Sequence, residues 1–280
     1  TIQGREAEAR HYLEEQLVLV RRLGNLLSIA VALRELGSFC QGLGEYQQAA
    51  QYYAEAIQVS RELDNRYGVS VSLDQLGFVQ RRLGNFAEAE RLHQESLSFS
   101  LELNDSMGIA GSYDNLGLVY RATGQTRRAR ELYGEALRLR REVNQEVSLA
   151  VTLQNLGEID IDEGKPGDAR ACLLEADEIT TRLREWWLDV RGKNLLARLA
   201  LLEGDLERAE GYLRTALAEK VGTIIRSELP QVLVTLAELR AAQALRDEAL
   251  VLAEEQWANP ALWAENRPRL ERLLARLKPG

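Results

Sequence analysis

The clearest pattern in the chain is a pair of small and apolar residues that recurs every forty positions. It reads Leu-Gly four times and Leu-Ala twice, as Leu36-Gly37, Leu76-Gly77, Leu116-Gly117, Leu156-Gly157, Leu196-Ala197 and Leu236-Ala237. Apolar residues around each pair are three or four positions apart, as at Leu73, Leu76 and Val79, which places them on one face of a helix. A fixed period of this length predicts a solenoid, in which each unit buries its apolar face by stacking on its neighbours.

Each unit continues with features that predict a second helix. A loop glycine stands at Gly44, Gly84, Gly124, Gly164 and Gly204, and Ala244 replaces it in the last unit. Five residues later comes an alanine, at Ala49, Ala89, Ala129, Ala169, Ala209 and Ala249. Glycine ends a helix at low cost because it adopts the left-handed conformation easily. The small alanine lets the second helix approach the first closely, and a larger residue there would overpack the contact.

These patterns predict an all-α fold, a right-handed superhelical solenoid of helix-turn-helix repeats with a C-terminal capping helix. The predicted repeats are residues 26–65, 66–105, 106–145, 146–185, 186–225 and 226–259. Residues 1–25 match the second helix of a repeat whose first helix is missing, which indicates a piece cut from a longer protein. Residues 260–280 depart from the repeat and are expected to form the capping helix of this single array.

Composition and charge narrow the function classes. The formal net charge of −8 argues against direct binding of nucleic acid, which needs a basic face. No apolar run approaches about 18 residues, so we expect no membrane-spanning helix and no membrane partner. Cys40 and Cys172 are expected to be buried thiols of a cytoplasmic protein, because they lie 132 positions apart on inward-facing helical positions.

The Leu-Gly pair, the loop glycine, the second-helix alanine and the aromatic residue four positions after it, as at Tyr53 and Tyr133, together resemble tetratricopeptide repeats of the forty-residue kind. The resemblance covers nearly the whole chain and implies a protein-interaction domain. Similar repeats form the C-terminal sensor of STAND-class signal-transduction ATPases, which implies an inducer (a peptide, a protein or a small molecule) in the concave groove and N-terminal domains of a parent protein as partners. The alternative is a stand-alone peptide-binding scaffold of the spindle-adaptor or kinesin-light-chain type.

In this fold the first helices line the inner surface, so their residues outside the core are candidate ligand contacts. The candidates are Arg34, Asp74, Gln75, Phe78, Arg81, Asp114, Asn115, Leu118, Arg121, Gln154, Asn155 and Glu158. Amides can donate to and accept from a peptide backbone, arginines can pair with carboxylates or phosphates, and the aspartates favour a basic group. The alternative remains open that the amides and aspartates are simply solvated and that the arginines favour the helix C-terminus through its dipole.

Catalytic and metal-binding motifs are missing from the sequence. His11 and His93 are far apart in the repeat, and His93 takes the place that Tyr53 and Tyr133 fill in other units, which predicts a packed histidine. We find no zinc or phosphate-loop motif. The sequence therefore predicts no enzyme activity, no metal and no cofactor.

Overall fold

The computed structural model describes residues 2–218, 225–258 and 267–277, and in these ranges the chain is built from fourteen α-helices without a strand. The first seven are α1 (Ile2–Leu23), α2 (Leu26–Gly42), α3 (Tyr46–Glu62), α4 (Arg66–Arg82), α5 (Phe86–Glu102), α6 (Ser106–Ala122) and α7 (Thr126–Glu142). The others are α8 (Glu146–Asp162), α9 (Pro166–Leu183), α10 (Trp186–Glu203), α11 (Leu206–Ala218), α12 (Ile225–Ala242), α13 (Arg246–Trp257) and α14 (Arg267–Leu277). The predicted all-α class is confirmed.

The helices belong to two compact units, Thr1–Leu139 and Arg140–Gly280. In each unit, consecutive helices pack against one another, and the connections between them within the repeats are two or three residues long. Short connections of this kind join helices that lie side by side, as in helical hairpins. The consecutive helix-turn-helix packing is that of a tetratricopeptide solenoid.

The turns between paired helices use the left-handed backbone that the loop glycines predict. Gly44 has a φ of 79°, and the backbone N–H of the following residue, Glu45, donates to the carbonyl of Cys40 at 2.9 Å, which satisfies one of the last helical carbonyls. Ala244, which replaces the glycine in the last unit, also has a positive φ, of 64°. This backbone is unfavourable for a residue with a Cβ atom, so the last turn is strained.

The helix pairs are close because small and large residues face each other. The repeated second-helix alanines, Ala49, Ala89, Ala129, Ala169, Ala209 and Ala249, are all fully buried. The glycine of the Leu-Gly pair faces the large residue of the second helix, so that a Cβ atom at Gly37 would stand 2.7 Å from the ring of Tyr53. At Gly77 it would meet the buried ring of His93 at 2.6 Å. The packed histidine predicted from the sequence is therefore confirmed.

The end of the chain is described in part. Helix α14 (Arg267–Leu277) packs against α13, and it buries Leu270, Leu273 and Leu277 in a cluster with alanines of α12 and α13. Three stretches lie outside the described residues: the rest of the predicted capping segment, residues 260–266 and 278–280, and residues 219–224 near the end of the fifth predicted repeat.

Candidate functional site

The first helices of the repeats lie next to one another in the first unit. Helix α4 contacts α2 and α6 in addition to its sequence neighbours α3 and α5. Residues that follow the forty-residue period on α4 and α6 are therefore close in space. This arrangement brings together candidate contacts that are far apart in the sequence.

Four of the predicted contacts form what we call the α4–α6 face: Gln75, Phe78, Asn115 and Leu118. All four are partly exposed. Gln75 and Phe78 are three positions apart on α4, and Asn115 and Leu118 have the same spacing on α6, so each amide has an apolar neighbour on its own side of the helix. Within the described part of the chain, neither amide side chain takes part in a hydrogen bond. The face thus offers free amide groups beside apolar surface.

The arginines near this face have internal partners. The guanidinium of Arg81 lies 5.2 Å from the centre of the Phe78 ring, and that of Arg82 lies 5.6 Å from it. Arg82 also donates to the hydroxyl of Tyr46 at 2.9 Å. Both arginines are buried, so the structure corrects the expected orientation of Arg81 toward open solvent: stacking on an aromatic ring covers it. Its role as a ligand contact stays a prediction.

The predicted acidic contacts are also largely enclosed. Asp74 Oδ1 is 2.9 Å from Nδ1 of the buried His93, and its Oδ2 accepts a long hydrogen bond from Ser112. Asp114, one repeat later, is buried as well. Because the carboxylate of Asp74 is hydrogen-bonded to one nitrogen of this buried ring, its first effect is to position the ring. The remaining candidates of this unit, Arg34 on α2 and Arg121 on α6, are partly exposed.

In the second unit, Arg191 of α10 covers the predicted contacts on α8. Its guanidinium donates to Gln154 Oε1 at 3.2 Å, to Asn155 Oδ1 at 2.7 Å and to Glu158 Oε2 at 3.3 Å. Gln154 also donates to the carbonyl of Leu188 at 3.0 Å. All three side chains are buried, so their expected exposure to a groove is corrected: they join α8 to α10. Whether they also bind a ligand stays untested.

A group of four arginines in the second unit lies outside the contacts predicted from the sequence. Arg198, Arg269, Arg272 and Arg276 line a cavity of about 410 Å³. Arg198 stands at the repeat position of Phe78, two residues after the recurring Leu, so the forty-residue period of the sequence alone could have identified it. The other three lie on α14 at spacings of three and four, which is visible in the sequence as one basic side of an amphipathic helix.

Two negative observations apply to the described ranges. They contain no group of three or more His, Cys, Asp or Glu side chains that could hold a metal ion. None of their helices is both long enough and apolar enough to cross a membrane.

Known protein families and solved structures resemble this helical architecture. Three overlapping stretches, residues 28–102, 68–142 and 108–182, match the family model described as Tetratricopeptide repeat. No curated protein matches the sequence significantly. Among solved structures, BtubC (BKLC) from P. vanneervenii is 19% identical, with a TM-score of 0.63 over 75% of this chain and 89% of that chain.

Two further solved structures are Rap proteins. The Rap conjugation gene regulator of the plasmid pLS20, in complex with the Phr* peptide, is 14% identical, with a TM-score of 0.71 over 91% of this chain and 71% of that one. A Rap protein complexed with competence and sporulation factor is 12% identical, with a TM-score of 0.72 over 99% of this chain and 74% of that one. Identities this low show a shared fold alone. The family matches, however, together span residues 28–182, more than half of the chain, and the chain therefore belongs to the tetratricopeptide repeat family.

Proposed function

We propose that the chain is a peptide-binding interaction domain and that the α4–α6 face holds an extended segment of its partner. The observation that carries the proposal is the pair of partly exposed amides, Gln75 and Asn115, which occupy the same position in adjacent repeats and have no internal hydrogen bond among the described residues. A side-chain amide both donates and accepts, so it can bind the backbone N–H and C=O groups of a peptide whatever its side chains are.

The spacing of the face suits an extended peptide. Packed helices lie about 8–10 Å apart, and an extended chain rises about 3.3 Å per residue. Adjacent repeats would therefore contact about every third residue of the peptide. Phe78 and Leu118 would cover the apolar side chains between these contacts, and their burial would supply most of the affinity.

Two of the structures with a similar fold support the proposal by what they hold. The pLS20 Rap regulator is in complex with the Phr* peptide, and another Rap protein is complexed with competence and sporulation factor. These complexes concern those proteins, and they motivate testing a peptide on this one.

The test uses the 280-residue chain and a library of random decapeptides. We expect the immobilised chain to retain a subset with a consistent pattern, and one selected peptide then serves as the probe in fluorescence anisotropy. Gln75→Ala with Asn115→Ala should weaken its binding at least about tenfold, which corresponds to about 1.4 kcal/mol. The melting temperature should change little, because both side chains are partly exposed and form no hydrogen bond with another described residue.

A matched control is available on helix α3. Gln51 and Gln58 are exposed there, so Gln51→Ala with Gln58→Ala removes two side-chain amides from a helix outside the face. This control should bind the probe with wild-type affinity. Equal affinities of the two double variants, or failure of the chain to retain any peptide, would contradict the proposal.

The finer proposal concerns the setting of the domain. In a STAND-class ATPase, an inducer bound to this domain would shift a closed–open equilibrium of the parent protein, which requires different affinities for the two states. As an adaptor of the spindle-adaptor or kinesin-light-chain type, the domain would dock a partner without such a switch. The full coding sequence decides between them: a phosphate-loop ATPase region upstream supports the sensor, and its absence leaves the adaptor.

A further inference from the structure

The cavity of about 410 Å³ in the second unit, here called the arginine pocket, has the size of a ligand site. It lies where the ends of α8, α10 and α12 meet α14, which are the first helices and the terminal helix of that unit. Its lining residues are Ile161, Asp162, Arg198, Leu201, Leu202, Glu238, Ala242, Arg269, Arg272, Leu273 and Arg276. The lining combines basic groups with aliphatic ones.

Two of the four arginines are held in place by acidic side chains. Arg198 donates to Glu158 and to Asp162, each at 2.7 Å, and only 8% of its side chain is exposed. Arg269 is bound by both carboxylate oxygens of Glu238 and donates to Thr235 Oγ1 at 3.0 Å. Two or more charged hydrogen bonds to one guanidinium fix its plane, so these two arginines form a rigid part of the wall.

The other two arginines have no such partners. Arg272 and Arg276 are exposed, and they lie one helical turn apart on the same side of α14. Among the residues that the structure describes, neither forms an ion pair or a hydrogen bond. Among the described residues, four arginines line the cavity beside two carboxylates, and Glu158, bound to Arg198, adds a third, so one positive charge remains in a chain whose formal net charge is −8. The pocket therefore attracts anions.

The aliphatic lining restricts the kind of anion. Leu201, Leu202 and Leu273 face the same cavity as the arginines, so an occupant that is charged throughout would leave them without contact. The one excess positive charge around the cavity also matches a singly charged carboxylate, whereas a doubly charged phosphate would leave a net negative charge.

We propose that the arginine pocket binds a carboxylate of a peptide ligand, next to an aliphatic side chain, through Arg272 and Arg276. This inference rests on the proposed peptide-binding function and names the ligand chemistry of a further part of the domain. The carboxylate belongs either to an acidic side chain or to the C-terminus of the peptide. Both sources present the same two oxygens to a pair of guanidinium groups.

The experiment repeats the decapeptide selection with wild-type chain and with Arg272→Gln, Arg276→Gln. We expect the wild type to enrich peptides that have Asp, Glu or a free C-terminus beside Leu or Ile. The double variant should lose this preference and should bind a wild-type-selected acidic peptide at least about tenfold more weakly. Arg127→Gln with Arg214→Gln is the control, because it removes two equal charges from highly exposed positions on α7 and α11. It should keep the wild-type preference.

Variants of the selected peptide separate the two sources of the carboxylate. Replacing its acidic residue by Gln weakens binding if the side chain is bound, and amidating its C-terminus weakens binding if the terminus is bound. Phosphoserine in place of the acidic residue should bind no better than Glu. Tighter binding of phosphoserine would overturn the choice of carboxylate.

The failures of the two proposals give different results. Peptides retained without an acidic preference, or with a preference unchanged in the Arg272, Arg276 variant, would overturn this inference and leave the α4–α6 face intact. No retention by the wild type would overturn both. Circular dichroism melting checks that the variants are folded, which we expect because Arg272 and Arg276 are exposed.

Discussion

The contact between Gly37 and Tyr53 offers a quantitative test of how the repeats pack. A Cβ atom added at Gly37 would lie 2.7 Å from one ring carbon of Tyr53 and 2.9 Å from two others. Carbon atoms in favourable contact are about 3.5–4.0 Å apart, so the ring or the helix would have to move by almost 1 Å. Tyr53 is fully buried, and its hydroxyl donates to Gln41 at 3.1 Å, which opposes such a shift.

The expected loss of stability follows from two opposing terms. Overpacking of this kind costs about 1–3 kcal/mol, whereas Ala in place of Gly in a helix gains about 0.5–1 kcal/mol. We therefore predict that Gly37→Ala lowers the free energy of unfolding by about 1–2 kcal/mol. The control is Gly134→Ala, because Gly134 is inside α7 and a Cβ atom there meets nothing within 4 Å. It should raise stability.

A second substitution tests the cause. In a later repeat of the same chain, Ala197 and Leu213 occupy the places of Gly37 and Tyr53, and both are buried in one core cluster. Tyr53→Leu alone should destabilise by removing ring contacts. Together with Gly37→Ala it should restore room for the methyl group, so the double variant should lose at least about 1 kcal/mol less than the sum of the single variants.

The assay is urea unfolding followed by circular dichroism at 222 nm, with all four proteins of the cycle measured together. Losses that simply add would show that the two residues do not interact and would refute the packing argument. Wild-type stability of Gly37→Ala would refute it as well, because it would mean that the contact is loose enough to accept a methyl group.

Three further predictions concern single positions. Ala244→Gly should raise the free energy of unfolding, measured in urea, by about 0.5–1 kcal/mol. The left-handed backbone at this position costs alanine about 1–2 kcal/mol, and the larger entropy of glycine in the unfolded chain offsets part of the gain. Burial raises the pKa of the Cys40 thiol to about 11. The unfolded thiol ionises near pH 9, so stability should fall as pH rises from about 9 to 11, and Cys40→Ser should lose this slope in pH-dependent melting. Arg198→Met should destabilise by about 3 kcal/mol in thermal melts because it leaves the buried carboxylate of Glu158 with less compensation, and adding Glu158→Leu should recover part of that loss. Unchanged stability of Ala244→Gly or of Arg198→Met, or a pH slope that persists in Cys40→Ser, would contradict the corresponding prediction.

The fold could be predicted from the sequence because its determinants are local and repeated. The loop at Gly44 takes a positive φ for reasons that lie in three or four residues, and the buried Ala49 follows from its fixed distance to that loop. Because the same residues recur in every unit, a pattern that would be weak evidence in one repeat becomes strong evidence over the whole chain. The burial of His93 could be predicted in the same way, because the period assigns this residue to a packing position.

The candidate site was only partly predictable, because exposure depends on partners that lie elsewhere in the chain. Gln154 and Asn155 have the same positions in their repeat as Asp114 and Asn115 have in theirs. Arg191, on the first helix of the next repeat, donates hydrogen bonds to both and covers them. The forty-residue period does not show that an arginine 36 residues after Asn155 will bind these side chains. The arginines of α14 were not among the predicted ligand contacts, because that helix lies outside the repeats from which those contacts were chosen.

The central claim is that the amides of the α4–α6 face bind the peptide backbone, and the side-chain NH₂ signals of Gln75 and Asn115 test it most directly. We would assign them by substitution in a ¹⁵N-labelled sample and titrate the peptide selected by the wild-type chain. The account predicts that both signals shift as the peptide saturates the protein, whereas those of Gln51 and Gln58 on α3 stay in place. Saturation by the peptide with the signals of Gln75 and Asn115 unmoved would contradict the account.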